Sequence, residues 1–428
     1  MGKSGYSALK LLIKKKIQVW AINSGKIKNW PQTQEIQKIV AQENLIEQES
    51  NLCEEIFSKM DLIIISPGIP RDHNVLKMAL AKKIPVISEI ELAYTWLKSQ
   101  CKIVAITGTN GKTTTTTLLG DILKNDGRNV FVGGNIGVPL SDLICHETQH
   151  LNTEIVVLEL SSFQLESMVN FHPHLAAIVN INMSHGERYK NLESYASAKF
   201  HIADNMNKND SLLIPDNDPM IIDWAQGQHS TIYKKNIVNL KNNFDLTFWK
   251  LKGEHNLENL WFASTLAQLL GVDKKSIQQS INQFPGLPHR VEKVLTNLSY
   301  EVFNDSKSTN ILSTFVALKS MEQEKRPLYL IIGGKFRAGV PDDSLITYVD
   351  ELQKYCDKIL LIGETTDFLF GDFGHHISCQ KLYDLEHVKD FLAREKFLGT
   401  LLFSPAFPSF DQFENYVHRG DYFKKIFS

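Results

Sequence analysis

Short apolar runs, many of them with β-branched residues, recur along the chain, at 17–22, 61–65, 102–107, 155–160, 176–181, 328–332, 358–362 and 400–403, and each predicts a strand. Longer stretches with helical spacing of apolar positions, such as 8–13 and 74–82, lie between them. Strand, turn and helix in repeated order predict parallel α/β architecture. Several strands stop at turn-forming pairs: Gly333-Gly334, Gly363-Glu364 and Ser404-Pro405. Three blocks follow from this rhythm: 1–93, 94–287 and 288–428. The first opens with Gly2-Lys3-Ser4-Gly5 and an apolar helix, like the back half of a glycine-rich strand-to-helix turn. A dinucleotide-type fold builds its central strand ahead of that turn, so this block is expected to be Rossmann-like with its first strand missing.

Composition narrows the class. A length of 428 residues supports roughly three domains. Apolar residues make up 43% and charged residues 22%, which excludes a disordered or fibrous chain. Forty-six Lys plus Arg against 48 Asp plus Glu leave a net charge of −2, so neither nucleic acid nor a membrane surface is an expected partner. No apolar run approaches the ~20 residues that span a bilayer. The five cysteines (Cys53, Cys101, Cys145, Cys356 and Cys379) are scattered, with no CxxC pair. They read as reduced thiols, and the cytoplasm is the expected location.

The strongest chemical signal is the run Gly108, Thr109, Asn110, Gly111, Lys112, Thr113, Thr114, placed between a predicted strand and a predicted helix. Backbone amides of such a turn form an anion nest, Lys112 supplies a point charge for outer phosphates, and the Thr113 hydroxyl suits Mg²⁺. The strict GxxxxGK[ST] pattern is not met, because its first glycine would fall on Ile106. Glu159 closes an apolar strand, where a carboxylate is either a solvent-facing edge acid or a ligand for a metal ion. In open parallel sheets, ligands bind at the carboxyl ends of strands. Three such ends should coincide: the loop at 108, Glu159, and the segment Asn182-Met183-Ser184-His185. Phosphate nest, carboxylate and imidazole converging in one crevice suit ATP with Mg²⁺.

The motifs GTNGKTT, GNIG (134–137), LELSSFQLE (158–166), YASAK (195–199), HNLEN (255–259), LPHRVE (287–292) and NDSKSTN (304–310) together resemble the Mur ligases of peptidoglycan synthesis, in that family's order over nearly the whole chain. LELSSFQLE with 404–423 is most similar to the branch that adds D-glutamate. The resemblance implies three domains: a UDP-substrate domain, a central P-loop-type ATPase domain on a mainly parallel sheet, and a C-terminal Rossmann-like domain. It implies a monomer whose partners are ATP, UDP-N-acetylmuramoyl-L-alanine and D-glutamate. The implied reaction is amide formation through an acyl phosphate, with two Mg²⁺ ions. Phosphorylation is needed because a carboxylate is a poor electrophile with a poor leaving group.

The same resemblance implies residue roles. Lys112 and Thr113 contact the γ-phosphate and Mg²⁺; Glu159 and His185 are metal ligands, His185 beside the acceptor carboxylate; Lys199 is carbamylated and acts as a further metal ligand. Asn256 and Asn259, three apart on one helix face, serve the nucleotide, as do Arg290, Asp305 and Lys307. Ser66 and Asn135 lie near the UDP-sugar. Thr309, Ser409 and Phe410 bind D-glutamate with Arg337, or Lys335 in its place. Ser184 and Glu187 stand where the family has aspartates. Read from the residues alone, these positions are open to plainer roles: Ser66 as a turn residue, Thr309 as a helix cap, Phe410 as a core aromatic. Another amino-acid ligase of the superfamily and a catalytically degenerate ATP-binding paralogue are the competing functions.

Overall fold

The structure, a computed structural model, describes residues 2–47, 54–70, 72–186, 188–336 and 349–428. Its contacts divide it into two compact units, Met1–Trp249 with His255–Phe284, and Lys250–Glu254 with Pro285–Ser428.

The first unit begins with two short parallel pairs. Strand β1 (Ala21–Ile22) pairs with β2 (Leu45–Ile46), and β3 (Ile63–Ile65) with β4 (Val86–Ser88). The predicted strands at 17–22 and 61–65 are therefore shorter than expected, because each ladder extends only as far as its partner supplies backbone groups. The helix Lys3–Lys14 buries two faces: Leu9 joins a small core with Ala21 and Trp30, while Ala8 and Leu11 join the core under the central sheet. Two buried acids tie the following helix Glu89–Tyr94 to that sheet's surroundings. Glu91 accepts from the amides of Val169, Asn170 and Phe171 (3.1, 2.7 and 3.0 Å), and Glu89 from that of Ser141 (2.6 Å). Each carboxylate thereby meets donors that would otherwise be orphaned.

The central sheet contains β5 (Lys102–Thr107), β6 (Val130–Gly134), β7 (Ile155–Glu159), β8 (Leu175–Ile178), β9 (Ser211–Ile214) and β10 (Thr231–Lys234). Its order is β10-β9-β8-β5-β7-β6, parallel throughout. Strands β7 and β8 are wholly buried, as expected for strands covered on both faces. From β5 the chain crosses to β6 on one side, while β8, β9 and β10 build outward on the other. The connections after β5 and β8 thus run to opposite sides of the sheet, the topological switch point at which open α/β sheets take their ligands.

The second unit carries β11 (Glu292–Lys293), β12 (Glu301–Asn304), β13 (Leu328–Gly333), β14 (Lys358–Ile362), β15 (Cys379–Tyr383) and β16 (Thr400–Ala406), in the order β11-β12-β16-β13-β14-β15. All pairs are parallel except β11 with β12. The expected turn at Ser404-Pro405 does not form; β16 continues to Ala406. Its register against β13 shifts between Ile331 and Gly333, and a bulge of this kind is where a strand tolerates proline. Cys101, Cys145, Cys356 and Cys379 are free thiols, and Cys53 lies outside the described residues.

Candidate active site

The loop after β5 needs two of its glycines. Gly108 (φ +151°) and Gly111 (φ +81°) occupy backbone conformations that L side chains avoid. A Cβ on Gly111 would also lie 2.2 Å from Asn259 Oδ1. The loop is bolted to the segment after β8: the Thr109 amide donates to the Asn180 carbonyl (2.9 Å), the Asn110 amide to Asn180 Oδ1 (2.9 Å), and the Thr109 hydroxyl to the Asn182 carbonyl (2.9 Å). Gly111 caps the helix Lys112–Asn125, so Lys112, Thr113 and Thr114 form its first turn. Their amides belong to the N-terminal end that attracts anions. The Lys112 ammonium curls back to donate to the carbonyls of Gly108 (2.7 Å) and Thr109 (2.9 Å).

Lys199 donates to that same Gly108 carbonyl, at 2.8 Å. It sits on the helix Leu192–Phe200, is only 1% exposed, and lies 4.6 Å from the ring centre of Tyr195. Burial first, and then the nearby Lys112, push its pKa down to about 6, against the opposing pull of Glu159. Tyr195 carries no chemical signature of its own in the sequence. It is buried, its hydroxyl is 3.3 Å from that of Thr109, and its ring is 6.3 Å from that of His185. The available signal was its spacing: four residues before Lys199, on the same helix face.

Glu159 ends β7 and is 2% exposed. Its Oε1 accepts from Asn135 Nδ2 at 2.8 Å, whereas Oε2 is buried without a hydrogen-bond partner among the described residues. The solvent-facing alternative is excluded. Gly134 (φ +101°) is glycine because a Cβ there would be 2.4 Å from the Glu159 carbonyl. His185 adopts a left-handed conformation (φ +57°), and its ring packs edge-on against Phe163 at 4.8 Å. Asn259 is buried; it accepts from Thr115 Oγ1 (3.3 Å) and donates to Asn256 Oδ1 (3.1 Å). The loop, Lys199, Asn259 and the Tyr195–His185 pair are thus contiguous. Glu159 with Asn135 closes the strand next to β5, Glu159 in register with Ile106. Ser66 starts a turn, its carbonyl accepting from the Ile69 amide at 3.0 Å, and lines a small cavity with Pro67, Ser88, Phe163, Ser167 and Arg188.

In the second unit, Asp305 is buried at the end of β12, accepting from the Val291 amide (3.2 Å) and the Ser404 hydroxyl (2.6 Å). Burial raises its carboxyl to about 6, while Ser308, Ser404 and Arg290 pull the other way. The Lys307 ammonium lies 4.0 Å over the ring of Tyr416. Thr309 precedes Asn310, which is the residue that caps the helix Ile311–Lys319, so Thr309 is not the cap. Ser409 is buried, Phe410 is 63% exposed and no core aromatic, and Lys335 is exposed. Arg337 and Glu187 lie outside the described residues. Arg419, also without an earlier role, is 1% exposed and donates to Ser306 Oγ, the Ser306 carbonyl and the Phe407 carbonyl (3.1, 3.0 and 2.9 Å).

A parallel sheet whose central strand runs through a Gly-Lys-Thr loop into a helix defines a P-loop-type α/β protein. Residues 106–247 match the Mur ligase middle domain, and residues 1–88 match the Mur ligase MurD-like N-terminal domain. The UDP-N-acetylmuramoylalanine--D-glutamate ligase of Geotalea daltonii is 36% identical over 387 residues, covering 86% of this chain and 83% of its own. That of Elusimicrobium minutum is 35% identical, covering 100% of this chain and 96% of its own. Among solved structures, the MurF ligase of Thermotoga maritima in complex with ADP shares the fold, with TM-score 0.60 at 16% identity over 96% of this chain and 95% of that one. The chain belongs to the Mur ligase family. Among the described residues, no helix is long and apolar enough to cross a membrane.

Proposed function

We propose that the protein is an ATP-dependent ligase that joins the amine of D-glutamate to the alanyl carboxylate of UDP-N-acetylmuramoyl-L-alanine, releasing ADP and phosphate, in peptidoglycan synthesis. The names of its relatives support the substrates. The observation that carries the chemistry is the buried, unpartnered Oε2 of Glu159 on the strand beside the Gly-Lys-Thr loop. A buried carboxylate oxygen with no donor is costly; a proton or a cation relieves it, and its place beside the phosphate loop favours the cation.

Magnesium fits this donor set. Among the described residues no three His, Cys, Asp or Glu side chains gather as a cage, and Mg²⁺ is usually held by one or two carboxylates with phosphate oxygens and water. Glu159, Thr113, His185 and a carbamate on Lys199 are the residues assigned to two such ions. Bound magnesium supplies neutralisation of phosphate charge. Carbamylation requires an uncharged amine, which attacks CO₂ and releases a proton. With its pKa near 6, Lys199 has that form at neutral pH.

The loop amides of 108–114 and Lys112 hold the phosphates, and Asn256 and Asn259 the nucleoside side. His185, Asn135 and Ser66 align the UDP-linked substrate so that its carboxylate takes the γ-phosphoryl group. The D-glutamate amine then displaces phosphate. In the C-terminal block, Arg290, Asp305 and Lys307 are assigned to ATP, and Thr309, Ser409 and Phe410 to D-glutamate, together with Arg337 or Lys335. Asp305 acts by holding its own loop and Arg290, since its oxygens are already hydrogen-bonded. The blocks 1–93, 94–287 and 288–428 are taken as the three functional domains of a cytoplasmic monomer.

The test is phosphate release together with mass spectrometry of the amide product, with ATP, Mg²⁺, UDP-N-acetylmuramoyl-L-alanine and a panel of amino acids. Product formation that requires D-glutamate is expected. Turnover with L-alanine or L-lysine instead would assign a different ligase, and ATP binding with no product would assign a degenerate paralogue.

A further inference from the structure

Arg188 joins two segments that the site residues come from. Its Nη1 donates to the Pro67 carbonyl at 2.9 Å, in the turn that starts at Ser66. Its Nη2 is paired with Glu166 Oε2, and the guanidinium carbon lies 4.4 Å from the centre of the Phe163 ring. Phe163 is the ring against which His185 packs. Glu166 Oε1 accepts from the Tyr189 hydroxyl at 2.5 Å, and Tyr189 stacks on Phe163 at 5.9 Å. The amides of Arg188 and Tyr189 both donate to the His185 carbonyl, at 2.9 and 3.0 Å. His185 itself holds a φ of +57°, a left-handed conformation uncommon for non-glycine residues, and the two amide bonds to its carbonyl help to hold it.

The side chains of Arg188 and Glu166 are 12% and 5% exposed, and Arg188 Nε is buried without a hydrogen-bond partner among the described residues. Such a pair adds little stability over apolar residues of the same volume, and its best-attested use is to specify an arrangement. Here the arrangement is definite: one guanidinium spans the Ser66–Pro67 turn and the Phe163 ring, and one carboxylate holds that guanidinium and Tyr189.

We propose that Glu166 and Arg188 are a positioning pair that fixes the His185 ring relative to the Ser66–Pro67 turn, so that the UDP-linked substrate and the imidazole meet in one alignment. Neither residue touches the reacting atoms. The proposal rests on the ligase reading for the substrate's identity but not for its geometry. Guanidinium is the suitable group, because a lysine in its place offers one point charge rather than a planar fork that can bridge a carbonyl and a carboxylate while lying on a ring.

The experiment uses the full chain with ring-labelled histidine, as wild type, Arg188→Met, Arg188→Lys and Glu166→Gln. Two readouts are taken: the His185 imidazole NMR signal, assigned with His185→Gln, and the KM values for UDP-N-acetylmuramoyl-L-alanine and ATP. Arg188→Met and Glu166→Gln should move or split the His185 signal. They should raise the KM for the UDP-linked substrate by about tenfold or more, the scale typical of lost outer-shell support, while the KM for ATP stays within about twofold. Arg188→Lys should fall between these and wild type, and keeps the test open should Arg188→Met fold poorly. Folded variants with an unmoved His185 signal and unchanged KM values overturn the proposal, as does a KM for ATP that rises as much as that for the UDP-linked substrate. If the wild-type chain forms no amide, the ligase reading fails by itself, and the His185 signal still decides whether the pair orients that ring.

Discussion

At the carboxyl ends of the central sheet, Glu159 is buried with one oxygen unpartnered among the described residues, and Lys199 is buried with its hydrogen bond going to a backbone carbonyl already shared with Lys112. At the carboxyl ends of the second sheet, charge is buried just as deeply but is enclosed by partners. Asp305 accepts from Val291 and Ser404, and Arg419 reaches three acceptors on Ser306 and Phe407. Both sheets end in glycines held at positive φ, so the turns alone do not separate them. The state of hydrogen bonding does. An unfinished polar set is completed by a ligand, whereas a finished one is framework that holds loops in place.

That contrast can be broken by experiment. Glu159→Gln should lower kcat by about 10²–10³-fold, the scale of losing one electrostatic contact to the transition state, yet leave thermal stability unchanged or improved, because an unpaired buried charge is removed. A drop in melting temperature comparable to the loss of activity would put Glu159 in the framework instead. Next in size is Gly333→Ala, whose Cβ would lie 1.8 Å from the Ile362 carbonyl at φ +140°. Since backbone cannot step aside, denaturant unfolding should register a loss of about 3 kcal/mol or more. Gly111→Ala should cost less stability, because its obstacle is the Asn259 side-chain amide, and should show chiefly as weaker nucleotide binding.

Arg419→Met is expected to destabilise the protein by about 2–4 kcal/mol, since three acceptors lose their donor. Denaturation that leaves the variant as stable as wild type would contradict the framework role. The smallest effect concerns pH. Asp305 is raised from 3.8 to about 6 in the folded protein, so the folded state binds its proton more tightly than the unfolded state does. The stability this confers is fully present below pH 4 and is lost as pH rises through 6. The slope reaches at most about 1.4 kcal/mol per pH unit. Asp305→Asn should flatten that slope in a stability–pH series; an unchanged slope would assign it to another group.

Much of this was legible in residue order. The boundaries of β5 and β14 coincide with the predicted 102–107 and 358–362, because a short, mostly apolar run that stops at turn residues leaves little freedom. The strand–GTNGKTT–helix arrangement was equally readable, since its φ requirements and capping are local. Pro405 signals a turn in the sequence but lies within β16, because bulge tolerance depends on the neighbouring strand's register. Tyr195 and Arg419 had no role assigned because a tyrosine and an arginine have ordinary uses on any helix.

The chain's order of residues thus determined its parallel α/β class, its glycine-dependent loop and its family, all of which are written in local patterns and motifs. Tertiary structure alone decided that Asn259 meets Gly111, that two lysines share the Gly108 carbonyl, and which buried charges are satisfied. Those facts depend on segments brought together from far along the chain and on the exclusion of water between them, and neither is encoded in local periodicity.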